Sequence, residues 1–199
     1  MLSMFHNISS EIKSRMKFLE EKDKIDREDG TPRLERLRQI PPETGKFLAI
    51  LAASSPKGNI VEIGTSAGYS TLWLSLAGKK RNQKILTFEL LDEKIKIAKE
   101  TFCIAKVENF VDLREGDALK NIDSVENIAF CFLDCEKELY FKCYKKIVPK
   151  LVQGGLLICD NAINHKTTLQ PMMKFAEEDK RVDTILVPIG KGEFICQKS

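Results

Sequence analysis

The sequence predicts an α/β fold with a seven-stranded, mostly parallel sheet, helices on both faces and an antiparallel hairpin at its C-terminal end. Short apolar or β-branched runs alternate with helix-length segments, which is typical of parallel strands joined by crossover helices. Only a short turn, VPIGKG (187–192), separates the last two runs. Because it is too short for a crossover helix, those runs should pair as a hairpin.

The strand candidates are short and are followed by turn residues or helical patterns. They are NIVEIG (59–64), KILTFEL (84–90), NFVDLRE (109–115), NIAFCFLD (127–134), GGLLICD (154–160), VDTILVPI (182–189) and GEFICQK (192–198). Helices are expected over 70–80, 92–106, 138–152 and 168–179.

Another helix is predicted over 41–55, ahead of the sheet, with Phe47, Leu48, Leu51 and Ala52 on one face. The first forty residues carry amphipathic but highly charged helical patterns, which favour a surface or dimer helix. We therefore predict a single domain over 1–199, with an N-terminal helical extension (1–40) and a core (41–199).

Composition narrows the class of ligand. The chain has 32 basic and 29 acidic residues and a formal net charge of +3, which lacks the basic excess of a nucleic-acid-binding protein. No segment is as long and apolar as a membrane span, and no signal peptide is evident. We expect a cytoplasmic protein with a small-molecule ligand and with neither nucleic acid nor membrane as a partner.

The six cysteines form no CxxC pair, and three lie within apolar runs, so we interpret them as reduced packing residues. A zinc site at Cys131 and Cys135 is not favoured, because His6 and His165 are far away in sequence.

The stretch IVEIGTSAGYST (60–71) places Gly64 and Gly68 between a strand and a helix. Such a turn presents backbone N–H groups and the positive end of a helix dipole, which suits an anionic or polar cofactor. It matches neither the dinucleotide fingerprint nor the phosphate-binding loop, so phosphate is not the favoured target.

Acids follow at the ends of the next two strands. Glu89, at the tip of the second strand, can accept hydrogen bonds from both hydroxyls of a ribose. Asp117 can bind an adenine amino group, although a simple turn-forming Gly-Asp pair is the alternative.

Polar residues also end the fourth and fifth strands. FCFLDCEK supplies Asp134 and Lys137, and LLICDN supplies Asp160 and Asn161. Neighbouring parallel strands end at the same edge, so these side chains should converge beside the cofactor. Two carboxylates and an amide form an all-oxygen donor set that suits magnesium or calcium.

Together these motifs resemble the S-adenosylmethionine-dependent methyltransferases, whose Rossmann-like sheet of seven strands ends in an antiparallel hairpin. The resemblance implies that S-adenosylmethionine is the cofactor, with S-adenosylhomocysteine as the product. It also implies a cofactor site formed by Glu62, Gly64, Gly68 and Ser70 at the methionine end, Glu89 at the ribose, Asp117 and Ala118 at the adenine, and Asp134.

The D-x-x-K spacing followed by D-N is similar to that of the cation-dependent O-methyltransferases, the group of the catechol and caffeoyl-CoA enzymes. That resemblance implies that Asp134, Asp160 and Asn161 bind Mg²⁺ or another divalent cation and that Lys137 is the catalytic base. The acceptor would be a small catechol-like or other phenolic molecule.

Two departures from that group leave the acceptor unassigned. The loop after CDNAINHK is short, and the hairpin turn PIGKGEF lacks the acid that often precedes its glycine. Two alternatives stay open: a metal-independent methyltransferase with another acceptor, and a non-catalytic cofactor-binding module. His165 either faces the substrate or is an ordinary loop histidine, and the resemblance also suggests a homodimer formed by the N-terminal helices.

Overall fold

The computed structural model of the chain describes residues 4–199, and its strands form one seven-stranded sheet within that range. The strands are β1 (Asn59–Ile63), β2 (Ile85–Glu89), β3 (Val111–Glu115), β4 (Ile128–Leu133), β5 (Leu151–Cys159), β6 (Val182–Val187) and β7 (Glu193–Lys198). Their order is β3-β2-β1-β4-β5-β7-β6. Strands β1 to β5 are parallel, and β7 is antiparallel to both β5 and β6. The predicted strands and terminal hairpin are confirmed.

Helices connect the strands. They are α1 (Ser10–Glu28), α2 (Pro42–Ser54), α3 (Tyr69–Arg81), α4 (Asp92–Ala105), α5 (Ala118–Asn121), α6 (Tyr140–Ile147) and α7 (Lys166–Glu178). The helix expected over 138–152 is shorter than predicted. Pro149 follows the end of α6, and the chain has already entered β5 at Leu151, opposite Ile128.

The sheet has a topological switch point at β1. From β1, strands β2 and β3 lie on one side and β4 and β5 on the other. At such a point the connections leave in opposite directions and open a crevice at the carboxyl ends of the strands. The residues of the sequence motifs lie at these carboxyl ends, so they are next to the crevice.

Apolar side chains cover both faces of the sheet. One cluster contains residues of helices α1, α2, α3 and α4 together with Phe130 and Phe132 of β4. A second contains residues of α6 and α7 together with Cys131 and Leu133 of the same strand. Alternate residues of β4 thus enter opposite layers, as expected for a central strand. Four of the cysteines are buried free thiols in the second cluster, whereas Cys103 is exposed.

The first helix packs on its own chain. Leu19 is fully buried, and the buried guanidinium of Arg15 donates to Thr101 of α4 at 3.0 and 3.1 Å. One face of α1 is therefore covered by the rest of the chain, and the proposed role of this helix in a dimer stays a prediction. No helix among residues 4–199 is long and apolar enough to cross a membrane.

Gly64 follows β1 and has a backbone conformation that other residues rarely adopt, with φ +105°. A Cβ atom at this position would lie 2.4 Å from the carbonyl oxygen of Asp134. The absence of a side chain thus lets the β1–α3 turn and the end of β4 lie against each other.

We predict that Gly64→Ala lowers the free energy of unfolding more than Gly30→Ala does. Both glycines have positive φ, which costs an alanine about 1–3 kcal/mol, but the space around Gly30 is open to 4 Å. Chemical denaturation of the two variants measures the difference. Equal losses would contradict the close approach of Gly64 to Asp134.

Candidate active site

A cavity of about 440 Å³ opens at the carboxyl edge of the sheet. Its wall combines the β1–α3 turn, the ends of β2, β3 and β4, the turn after β5, and residues 33–40 of the N-terminal extension. Most of the predicted site residues line it: Gly64, Ser70, Glu89, Asp117, Ala118, Asp134, Lys137 and Asn161. Glu62, Gly68 and Asp160 do not reach the wall.

Glu62 lies beneath the turn, fully buried in β1. Its carboxylate accepts hydrogen bonds from the hydroxyls of Ser70 (2.5 Å), Thr71 (2.5 Å) and Thr87 (2.6 Å). Burial raises the pKa of Glu62 to about 7, although the three hydroxyl groups act to lower it. In this structure Glu62 anchors the first turn of α3 to the sheet and does not line the cavity.

Gly68 has φ +87° and lies at the start of α3, against the ring of Phe102. Its N–H donates to Thr65 O at 2.8 Å, and the N–H groups of Gly64 and Thr65 both donate to Phe88 O. These turn amides are therefore already engaged. The expected set of free N–H groups is correspondingly smaller than the sequence suggested.

Glu89 is at the tip of β2 and holds the turn. Its Oε2 accepts the N–H of Ser66 at 2.7 Å, and its Oε1 accepts the N–H groups of Leu90 and Leu91 at 2.8 and 3.0 Å. A carboxylate has about four lone-pair sites, so Glu89 retains acceptor capacity toward the cavity. Asp117 caps α5 through the N–H of Leu119 while also lining the cavity.

At the end of β4, Asp134 and Lys137 form an ion pair. The Lys137 Nζ donates to Asp134 Oδ1 at 2.6 Å and to the hydroxyl oxygen of Tyr140 at 2.8 Å. The Tyr140 hydroxyl in turn donates to Leu133 O, and burial raises the pKa of this phenol well above its usual value. The ammonium group is thus held at a defined place at the cavity wall, where Lys137 is only 9% exposed.

At the end of β5, Asp160 is almost completely buried and Asn161 faces the cavity. The Oδ1 of Asp160 accepts the N–H of Asn161 at 2.6 Å. Burial and the nearby carboxylate of Asp134 raise the pKa of Asp160. The electrostatic influence of Asp134 and Lys137 on Asp160 is consistent with the predicted convergence of these strand ends.

A further acid, Glu193, lies beside this group at the start of β7. It is fully buried, and neither carboxylate oxygen has a hydrogen-bond donor among residues 4–199. Burial and the charge of Asp160 raise the pKa of Glu193. The sequence analysis missed this residue, although a charged residue that opens the apolar strand GEFICQK was a visible signal.

The donor chemistry of this region fits a hard cation. Asp134, Asp160 and Asn161 offer carboxylate and amide oxygens, the ligands that Mg²⁺ and Ca²⁺ prefer. Among the described residues, no three His, Cys, Asp or Glu side chains are arranged to hold a metal ion. The predicted set needs only two acids, with Asn161 as the third donor.

The N-terminal extension forms the outer part of the cavity. Lys94 of α4 is buried and donates to the carbonyl oxygens of Glu35 (2.6 Å) and Arg36 (2.8 Å), which fixes residues 33–40 over the sheet edge. Arg33 and Arg38 both pair with Glu136, at 3.8 and 2.9 Å. Sequence reasoning missed this contribution, because the pairing depends on contacts across the fold.

Three residues of the wall that are not glycine have positive φ: Arg38 (54°), Ser66 (47°) and Asn161 (66°). Ser66 also donates its hydroxyl to Leu37 O at 3.0 Å, so two of the strained segments are tied together. Backbone strain of this kind concentrates at functional sites. Its presence around one cavity supports that cavity as the site of function.

Comparison with known proteins agrees with this architecture. A sequence profile of a family described as O-methyltransferase matches residues 8–199. The match includes most of the N-terminal extension.

Two relatives in sequence are caffeoyl-CoA O-methyltransferases. The Medicago sativa protein is 25% identical, with 78% of this chain and 73% of the relative covered. Caffeoyl-CoA O-methyltransferase 5 of Nicotiana tabacum is 28% identical, with coverage of 78% and 75%.

Solved structures share the fold. A methyltransferase from Podospora anserina bound to S-adenosylhomocysteine has a TM-score of 0.81 at 20% identity, covering 96% of this chain and 89% of that one. An O-methyltransferase from Bacillus cereus in complex with S-adenosylhomocysteine has a TM-score of 0.75 at 22% identity, covering 92% and 91%. At these identities the likeness establishes the fold alone.

The raised pKa of Glu62 predicts a pH dependence of stability. An unfolded-chain carboxyl with a pKa of 4.5 releases its proton well before the native group, whose pKa is about 7. The stabilisation from this group is present below about pH 4.5 and is lost as the pH rises to about 7. In Glu62→Gln that loss is absent, so the free energy of unfolding of the variant should gain on wild type over this range, by at most about 1.4 kcal/mol per pH unit.

Chemical denaturation across pH 4 to 8 measures this difference. The offset at the lowest pH, where the carboxyl is protonated in both states, serves as the internal control for the substitution itself. Parallel stability profiles for the two proteins would contradict the effect of burial on Glu62.

Proposed function

This chain belongs to the O-methyltransferase family, and on that premise we propose that it uses S-adenosylmethionine to methylate a hydroxyl group of a small catechol-like or other phenolic acceptor, assisted by a divalent cation. The relatives named as caffeoyl-CoA O-methyltransferases and the structural neighbours that bind S-adenosylhomocysteine support this proposal.

One observation carries the proposal: the polar groups at the ends of four parallel strands meet around a single cavity. Glu89 ends β2, Asp134 follows β4 and Asn161 follows β5, and all three line the same wall as the β1–α3 turn. Its volume of about 440 Å³ lies within the range of small-molecule sites. A passive binding module has no need of acids gathered at the ends of β4 and β5.

The cofactor would lie along the ends of β1, β2 and β3. Glu89 would accept hydrogen bonds from the ribose hydroxyls, and Asp117 with Ala118 would bound the adenine. Ser70 and Gly64 would face the methionine end, with Glu62 and Gly68 supporting the turn from behind. This arrangement is consistent with wall positions for Gly64, Ser70, Glu89, Asp117 and Ala118.

Asp134, Asp160 and Asn161 would hold the divalent cation, which when bound lowers the pKa of a coordinated hydroxyl. The chain's own residues would orient the acceptor and manage its proton. Lys137 would accept that proton in its amine form, and its hydrogen bond to Tyr140 keeps Nζ in place. The same nitrogen also lies 2.6 Å from Asp134 Oδ1, whose negative charge balances the ammonium form.

Turnover tests the function and its cation dependence. We expect S-adenosylhomocysteine to form from S-adenosylmethionine and a catechol, and its rate to collapse when a chelator removes divalent ions. Restoring Mg²⁺ or Mn²⁺ should restore the rate, which controls for damage by the chelator. Undiminished turnover with the chelator would favour the metal-independent alternative, and binding of the cofactor without turnover on any acceptor would favour the non-catalytic module.

We predict that Lys137→Met lowers turnover by about 10²–10⁴-fold, the usual contribution of a general base. Affinity for S-adenosylhomocysteine, measured by calorimetry, should stay close to that of wild type, because the ribose and adenine residues are unchanged. Lys142→Met is the control, since Lys142 is exposed on α6, the helix that follows Lys137 in the chain. Unchanged turnover in Lys137→Met would exclude the assigned role.

A further inference from the structure

Glu193 is a buried acid to which the proposed reaction assigns no role. It follows the hairpin glycine Gly192, opens β7 and has no solvent exposure. Both carboxylate oxygens lack a hydrogen-bond donor among residues 4–199. Because burial of an uncompensated carboxylate is costly, its presence at this position calls for a functional explanation.

The strand register places Glu193 opposite Asp160. Strands β5 and β7 pair Leu157 with Cys196 and Cys159 with Phe194, so one further step in the same register sets Asp160 against Glu193. Side chains directly opposite in an antiparallel pair have Cβ atoms about 4.5–5.5 Å apart. Both side chains therefore lie on the same face of the sheet, and burial together with the charge of Asp160 raises the pKa of Glu193.

The backbone holds this pair together on the hairpin side. Ala162 N–H donates to Gly192 O at 2.8 Å, and Ile163 N–H donates to Lys191 O at 3.1 Å. A Cβ atom on Gly192 would lie 2.4 Å from Ile163, so the hairpin turn lies directly against the turn after β5. Glu193 lies between these turn contacts and the β5–β7 pairing, which together fix its backbone relative to that of Asp160.

Neither Glu193 nor Asp160 is part of the cavity wall, whereas Asn161, next to Asp160, is. Glu193, Asp134 and Asp160 are also not arranged as a three-acid metal centre. The geometry therefore points to an action of Glu193 on Asp160 and not on an ion directly.

We propose that Glu193 is the positioning residue of Asp160: its buried carboxyl group fixes the orientation in which the Asp160 side chain serves as a ligand of a divalent cation. This inference rests on the proposed function. One carboxyl group can donate a hydrogen bond to another, and such partners of metal ligands typically change metal affinity about 10–100-fold when they are removed.

Two substitutions of Glu193 test this role through metal affinity. Calorimetric titration of Mn²⁺ into the full chain, saturated with S-adenosylhomocysteine, gives the dissociation constant. We expect Glu193→Leu to weaken Mn²⁺ binding about 10–100-fold, because leucine has no polar group for Asp160. Glu193→Gln should bind nearly as tightly as wild type, because its amide N–H can donate to Asp160.

Thermal unfolding of the metal-free proteins separates positioning from folding. Glu193→Leu should unfold at or above the wild-type temperature, because it removes a buried group without a donor. Asp26→Asn is the matched control: Asp26 is also a buried acid with one unpartnered oxygen, but it lies in α1. Its substitution should leave Mn²⁺ affinity unchanged.

The outcomes distinguish this inference from the proposed function. Absence of Mn²⁺ binding by the wild type would overturn the cation site itself, before any variant is considered. Binding by the wild type with equal affinity in Glu193→Leu would overturn the role of Glu193 alone. Equal weakening in the Gln and Leu variants would also overturn positioning, because the charge of Glu193 would then be what matters.

Discussion

The structure depends on how it accommodates five acids at one edge of a sheet, four of which are buried. Removing a carboxylate from water is unfavourable unless hydrogen bonds or opposite charge replace the lost hydration. The acids differ in the hydrogen-bond donors that surround them. Glu62 accepts hydrogen bonds from three hydroxyl groups, Glu89 from three backbone amides and Asp134 from the ammonium group of Lys137. Asp160 receives one amide, and Glu193 receives no donor among the described residues.

The number of hydrogen-bond donors for each acid decreases across the sheet. Compensation is complete on the side of β1 and β2, where the carboxylates hold the turn in place without any ligand. It is incomplete on the side of β5 and β7, where the pKa values of Asp160 and Glu193 are raised by burial and by neighbouring carboxylates. The first side is therefore organised in advance, whereas the second becomes balanced only when a positive group arrives or a proton is retained.

Sequence patterns were sufficient for the sheet and for most of the wall. Strand identity follows from alternating apolar runs, and parallel pairing then forces the strand ends to one edge, so Glu89, Asp134 and Asn161 meet there. Burial depth was not predictable in this way. Glu62 and Asp160 are buried by neighbouring side chains and do not line the cavity. Tyr140 and residues 33–40 join the site through contacts that depend on the packing of α4 and α6.

The wall comes from two separate sources. The inner side consists of strand ends whose backbone is shared with the core, so a change there disturbs the whole fold. The outer side consists of residues 33–40, held by contacts that include the two carbonyl contacts of Lys94 and the Ser66 hydroxyl. Under the proposed function, sequence drift in that outer stretch would alter which acceptors fit, while the strand ends proposed to hold the cofactor stay intact. New substrate preferences would then arise by changes in residues 33–40, without any rearrangement of the sheet edge.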